Sequence, residues 1–324
     1  MDAFGRKVDY LRISITDRCN EKCLYCMPEG FSDWKERSEI LSYEEILRVV
    51  RVAASLGFRK FRVTGGEPLV RRDVVKFVRR LAEISGVQTI GMSTNGTRLA
   101  SLARPLREAG LKTINISLDA LTPSVYHAIT HGDLEPVLDG IRAAIEVGFE
   151  WVKLNMVLIR GMNEGEIWPI IQFAAEHRLI LRFIELMPVS LTEMLNETNF
   201  LPVGEVMRRI AERDTLTPLD EVRFGHGPAR YYRLEKTGVT VGFIGAITHL
   251  HFCDACNKIR LTADGKIRPC LGNHGEYDLK STLRKNGDDE AIAEIFQNAL
   301  AEKPLEHLFR NNYQPERIMT AIGG

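Results

Sequence analysis

From residue 10 to about residue 190 the chain repeats one pattern, a short β-rich run followed by an amphipathic stretch of helical length. Strands are expected at 11–16, 60–64, 89–94, 113–118, 151–158 and 180–186, and helices near 42–56, 73–84, 98–109, 134–147 and 163–178. Alternation of this kind calls for parallel strands joined by helical crossovers, and so for an α/β fold. A partial barrel of βα units and a doubly wound open sheet both satisfy it.

The strand faces favour the barrel. Side chains alternate across a strand, so Lys60, Arg62 and Thr64 share one face while Phe61 and Val63 share the other. Asn115, Ser117 and Asp119 oppose Ile114, Ile116 and Leu118, and Lys153 and Asn155 oppose Val152, Leu154 and Met156. On the first strand Arg12 falls with Ser14 and Thr16. The apolar faces can pack on helices. The polar, basic faces suit the wall of a cavity better than the branched apolar filling of a closed barrel. After Met187-Pro188 the alternation stops, and residues 190–199 are polar and irregular. A helix is expected over 201–213, hairpin strands at 230–234 and 239–244, and a hairpin turn at Ala263-Asp264-Gly265-Lys266. The expected division is therefore a barrel over residues 1–215 and a smaller C-terminal region over residues 216–324.

Six cysteines fall into two sets of three. Cys19, Cys23 and Cys26, spaced C-x3-C-x2-C, follow the first strand directly, at the mouth where parallel barrels keep their chemistry. Thiolates are soft ligands for an iron-sulfur cluster or for zinc. On a cubane cluster three of them leave one iron open; on zinc they need a fourth ligand, and no histidine precedes Pro28. Cys253, Cys256 and Cys270 form the second set, and His249, His251 or His274 could complete a Cys3His zinc site there. Lys258, Arg260, Lys266 and Arg268 flank these thiols, favouring thiolate and offering contacts to an anion. Lys plus Arg and Asp plus Glu both number 43, so no global charge draws nucleic acid or a membrane surface. No run reaches membrane-spanning length, and the start has no apolar signal core. The expected setting is the cytoplasm, where thiols stay reduced.

Thr64-Gly65-Gly66-Glu67-Pro68 ends the second strand, and its glycines allow a close approach of backbone to a ligand. This element, one βα unit after a C-x3-C-x2-C loop with Tyr25 before its last cysteine, resembles the radical S-adenosylmethionine (SAM) superfamily. The resemblance implies a partial (β/α)6 barrel and a [4Fe-4S] cluster on Cys19, Cys23 and Cys26. Its open iron chelates SAM, which is cleaved to a 5′-deoxyadenosyl radical. The segment from Phe252 to Leu271, the opening from Tyr10 to Asn20 and the closing Met319-Thr320-Ala321-Ile322-Gly323-Gly324 are similar to the GTP 3′,8-cyclase family of molybdenum cofactor biosynthesis. Lys258, Thr130-His131-Gly132 and Thr248-His249-Leu250-His251 depart from that family's usual pattern.

The second resemblance implies a further [4Fe-4S] cluster on Cys253, Cys256 and Cys270, whose open iron meets guanine. It implies Tyr25, Gly66, Ser117 and Met187 around SAM. Around GTP it implies Arg12, Lys60, Arg62, Ser93, Lys153, Arg182, Lys258 and Arg260, with Arg182, Gly323 and Gly324 needed for turnover. In the implied reaction the radical takes the ribose 3′ hydrogen of GTP and the carbon radical attacks guanine C8. An electron and a proton then complete 3′,8-cyclo-7,8-dihydro-GTP. The implied partners are an external electron donor and a downstream cyclic pyranopterin monophosphate synthase, with no nucleic acid or membrane, for a monomer or homodimer. Two other readings compete: a peptide-modifying radical SAM enzyme, which tends to carry more cysteines in its C-terminal extension, and a zinc module binding nucleic acid, which would want a strongly basic face.

Overall fold

Six strands carry the first half of the chain: β1 (Tyr10–Ser14), β2 (Lys60–Thr64), β3 (Thr89–Thr94), β4 (Thr113–Ser117), β5 (Trp151–Leu158) and β6 (Ile180–Glu185). The computed structural model that shows them describes residues 1–324 apart from 221–223, 225, 226, 286, 312 and 324. The strands lie side by side in chain order, and each neighbouring pair is parallel. A doubly wound sheet must reverse its strand order at a switch point. This order never reverses, so the winding is that of a barrel.

Helices α1 (Tyr43–Ser55), α2 (Val74–Ala82), α3 (Leu99–Glu108), α4 (Pro123–Thr130), α5 (Leu134–Val147) and α6 (Ile167–Glu176) form the crossovers. The first begins at a capping box: Ser42 Oγ accepts from Glu45 N at 3.1 Å, and the Glu45 carboxylate accepts from Ser42 N at 2.6 Å. Its apolar face, including Ile46, Val49 and Val50, joins Leu11, Ile13, Phe61 and Val63 in one core whose members are almost fully buried. Burial of each such side chain contributes about 1.5–3 kcal/mol. The sequence pattern had no place for α4, a helix of eight residues that starts on Pro123 and ends at His131 with φ 53°.

The C-terminal region adds to both edges of the same sheet. On one side β9 (Thr240–Ile244) runs parallel to β6 and carries β8 (Arg230–Leu234) and β7 (Leu216–Pro218) antiparallel beyond it. On the other, β10 (Lys258–Leu261) runs parallel to β1 and carries β11 (Lys266–Arg268) and β12 (Tyr277–Asp278). The remaining helices are α7 (Val203–Ala211), which packs on β6 and β7, and α8 (Lys280–Arg284), α9 (Asp289–Ala301) and α10 (Met319–Ile322), of which α9 packs on α1 and β11. The sheet order ends on β12 and β7, so the described strands make an open barrel wall and not a closed one. No helix among the described residues is long and apolar enough to cross a membrane.

This topology separates the two cysteine sets. Cys19, Cys23 and Cys26 follow the C-terminal end of β1. Cys253 and Cys256 precede the N-terminal end of β10, and Cys270 follows β11, which runs the opposite way. The sets therefore occupy opposite mouths, and the span from Tyr10, level with Lys258, to Ser14 is roughly 13 Å at the usual strand rise.

Candidate active site

At the upper mouth the turn after β2 lies against the first cysteine loop. Gly66 N donates to Thr16 O at 2.7 Å and Glu67 N to Arg18 O at 2.8 Å. A Cβ on Gly66 would overlap the carbonyls of Arg18 and Asp17, so this approach requires glycine. Glu67, 1% exposed, accepts from Leu69 N at 2.9 Å, Thr94 Oγ1 at 2.7 Å and Asn95 N at 2.7 Å. Burial pushes its carboxyl up to about 7. Tyr25 donates its hydroxyl to Asp119 Oδ2 at 2.6 Å, and Tyr126 donates to Glu21 Oε1 at 2.7 Å.

The three thiols here are unbridged and partly buried. Burial, with Glu67 and Glu21 adding to it against backbone hydrogen bonds that lower it, holds the Cys19 thiol at about 12; burial also raises Cys23, with Cys26 adding to it, and Cys26, with Cys19 adding to it. The charged neighbours acting on them are Glu21, Glu67 and Asp119 and no cation. Thiols that act on one another in an acidic, desolvated setting become thiolates only on a cationic centre, a chemistry that fits a metal cluster.

Between the mouths runs a cavity of about 450 Å³, within the size range of small-ligand sites. The parallel register sets Arg260, Arg12 and Arg62 abreast on β10, β1 and β2. Arg62 donates through Nε to the Tyr10 hydroxyl and through Nη1 to Met92 O at 2.8 Å. Opposite it stands Gly91, where a Cβ would lie 2.6 Å from Arg62 Nη2. Arg182 donates to Asn155 Oδ1 at 2.9 Å, and Lys153 donates to Phe224 O. Burial is the main cause that lowers these cations, with neighbouring arginines adding to it: Arg12 falls to about 9, Arg260 to about 10 and Lys153 to about 6, and Arg182 and Lys258 are lowered too. Burial would raise the Tyr10 phenol, but Arg62 and Arg12 outweigh it and bring it down. A buried set of mutually repelling cations calls for a polyanion. Lys60 differs, because Asp9 Oδ2 already pairs with it at 2.9 Å. Ser93, Ser117 and Met187 line the same cavity.

At the lower mouth Cys253, Cys256 and Cys270 also face the cavity. Burial raises Cys253 and Cys270, whereas at Cys256 the raising effect of burial is outweighed by Lys258 and Lys303, which bring it to about 7. This set fits an anionic cluster held by thiolates. His249, His251 and His274 are absent from the cavity wall; His251 turns to Asp254 at 3.0 Å, and His274 stacks on Tyr313 at 4.7 Å.

The C-terminal tail enters between the mouths. Gly323 is buried beside Ser14 and Thr64, and Arg260 donates to its carbonyl. Ser190 donates to Cys26 O and accepts from Met319 N at 3.2 Å, which ties the tail helix to the first cysteine loop. Gly324 lies outside the described residues.

Two family models match the chain in succession. Residues 13–174 match the Radical SAM superfamily, and residues 179–309 match Molybdenum Cofactor Synthesis C. A GTP 3′,8-cyclase of Moorella thermoacetica is 46% identical over 324 residues, covering 100% of this chain and 99% of that protein. The GTP 3′,8-cyclase of Pelotomaculum thermopropionicum is 44% identical, with 100% and 99% covered. The chain belongs to the GTP 3′,8-cyclase family.

Its cofactors are those of a radical SAM cyclase, SAM and two [4Fe-4S] clusters. The fold of this cyclase-family chain also resembles Streptococcus suis SuiB bound to precursor peptide SuiA, with a TM-score of 0.63 at 15% identity over 93% of this chain and 66% of that one. Native anSMEcpe with bound AdoMet gives a TM-score of 0.61 at 16% identity, over 93% and 82%. At such identities the likeness concerns the fold alone. Among the residues of the cyclase-family cavity that escaped the sequence reading are Tyr10, Lys303 and His307. Tyr10 was recoverable, since it lies two residues before Arg12 on the same strand face. Lys303 and His307 sit beyond α9 in a segment with no periodicity to signal them.

Proposed function

We propose that this chain converts GTP to (8S)-3′,8-cyclo-7,8-dihydroguanosine 5′-triphosphate, the first step of molybdenum cofactor biosynthesis. The observation that carries the proposal is a cation-lined cavity running from one cysteine triad to the other. Cys19, Cys23 and Cys26 would hold the SAM cluster, with Tyr25, Gly66, Ser117 and Met187 beside SAM. Cys253, Cys256 and Cys270 would hold the second cluster at the guanine end. When bound, the first cluster and SAM supply a 5′-deoxyadenosyl radical, which takes the ribose 3′ hydrogen so that the carbon can close on guanine C8.

The chain's own work is to hold and to enclose. Arg12, Arg62, Lys153, Arg182 and Arg260 clamp the triphosphate through charge-assisted hydrogen bonds, with Lys60, Ser93 and Lys258 at the edges of the same site. Fixing the nucleotide at both ends keeps ribose and purine in near-attack geometry. Gly323, packed on Ser14 and Thr64, fills the wall between β1 and β2 and keeps water from a radical. On this reading residues 1–215 and 216–324 form the two functional parts. An external electron donor and a downstream cyclic pyranopterin monophosphate synthase complete the cytoplasmic partners of a monomer or homodimer.

The test is anaerobic. Iron and acid-labile sulfide are measured for the wild type and Cys253→Ala, followed by incubation with SAM, GTP and a reductant. Two clusters in the wild type, one in the variant, and a cyclised purine formed with 5′-deoxyadenosine are expected. Deoxyadenosine with GTP unchanged would move the substrate elsewhere.

A further inference from the structure

The second triad is assembled from two separate arms. Cys253 and Cys256 precede β10, and Cys270 follows β11. The pairing of β10 with β11 ends at Arg260 and Arg268, short of the cysteines, and beyond it a side chain from a third place in the fold links the two arms. Lys303, two residues beyond α9 and 2% exposed, donates from Nζ to Lys258 O at 2.9 Å and to Pro269 O at 2.7 Å. Lys258 stands two residues after Cys256, and Pro269 immediately precedes Cys270. An ammonium has three N–H groups. Two are used on these carbonyls, and the buried charge acts on Cys256, helping to bring its thiol down. Arg6 does the corresponding work at the remaining cysteine. Its Nη1 donates to Cys253 O at 3.1 Å and Leu305 O at 2.7 Å, and its Nη2 donates to Pro304 O at 2.6 Å. The segment that carries Lys303 is thereby fastened to Cys253 as well.

We propose that Lys303 is a positioning residue for the second cluster, joining its two ligand arms and raising its reduction potential through a buried charge. The proposal rests on the reading that Cys253, Cys256 and Cys270 hold a cluster. Its physical basis is general. The reduced cluster carries one more negative charge than the oxidised one, and a cation held beside it away from water stabilises the reduced form more. Lys303 has no need to touch GTP for this effect.

The experiment compares full-length wild type, Lys303→Met and Lys303→Arg, each reconstituted anaerobically. Iron and sulfide are counted, and a potentiometric titration is followed by electron paramagnetic resonance without SAM or GTP. The methionine variant keeps the stem and loses the charge and the donors. Its second cluster is expected to titrate at a lower potential than in the wild type, while the first cluster is unmoved and serves as the internal reference. The arginine variant keeps the charge and is expected to recover most of the difference. Loss of the second cluster from the methionine variant but not from the arginine variant also supports the fastening role. Two clusters at wild-type potentials in Lys303→Met overturn the proposal alone. A wild type with one cluster, lost in Cys19→Ala and kept in Cys253→Ala, overturns the underlying reading and the proposal with it.

Discussion

Replacing Gly323 by alanine tests whether the tail belongs inside the cavity. Gly323 has φ 92° and ψ 109°, a conformation that side-chain-bearing residues rarely hold. Forcing one into it costs about 1–3 kcal/mol. The new Cβ would also stand 2.8 Å from Ser14 Cβ and 3.1 Å from Thr64 Cγ2, so the docked tail has to shift. The undocked tail feels neither penalty. The ratio of docked to undocked tail is therefore expected to fall roughly 5- to 150-fold, at 1.4 kcal/mol per decade. Turnover of GTP should fall with it, iron and sulfide should match the wild type, and carboxypeptidase should remove the tail faster. Adding Ser14→Gly removes the closest overlap and leaves the backbone strain, so the double variant should recover part of the loss. Wild-type turnover with a protected tail in Gly323→Ala would refute the reasoning.

Three further perturbations probe the cavity and the tail's anchor. Burial, then Arg182 and Arg62, bring Lys153 from its ordinary 10.5 to about 6, so between those values the unfolded chain binds more protons than the ligand-free folded one. Stability of the ligand-free chain should accordingly rise with pH across that window, and Lys153→Met should flatten the rise in urea melts at pH 7 and 9; equal slopes would contradict it. Gly91→Ala places a Cβ 2.6 Å from Arg62 Nη2 and 2.7 Å from Thr113 Oγ1, which drives Arg62 off Met92 O. The KM for GTP should rise about tenfold or more, the scale of one charge-assisted hydrogen bond, with cluster content unchanged; an unaltered KM counts against the site. Arg317 forks onto Asp264 at 2.8 and 2.9 Å and onto Glu276 at 2.9 and 3.1 Å, two residues before α10. Arg317→Ala should lower stability by about 1.5–3 kcal/mol and turnover by more than that loss explains, and an unchanged melting temperature would dismiss the anchor.

Much of this was written in residue order. The six strands of the first half match their expected positions to within two residues at each end, because a run such as Lys60–Thr64 alternates basic and apolar side chains that only one pleat can sort. The same alternation exposed Arg12, Arg62 and Lys153 as cavity residues before any fold was known. What escaped had no local signature. Strand β10 reads as the first arm of a hairpin with β11, and nothing in Lys258–Leu261 announces that its other edge is taken by β1. Helix α4 is too short to establish a period, and the one local sign of α9 is its cap, where Asp288 accepts from Ala291 N at 2.9 Å. Lys303 acts through carbonyls of other segments, a property of the folded backbone that its own neighbours in sequence do not encode.

The pairing of β1 with β10 also bears on how the protein is made. Tyr10 leaves the ribosome long before its partner Lys258. At roughly 5–20 residues per second, β1 has one hydrogen-bonding edge without its partner for about 12–50 s of synthesis. Such an edge invites pairing with other chains. The loop bearing Cys19, Cys23 and Cys26 emerges directly behind it, so cluster insertion during translation would act on a half-built wall. Yield in a cell should therefore depend on how quickly the chain up to β10 is delivered, and slow codons placed between residues 200 and 258 should cost more soluble protein than the same codons placed after 270.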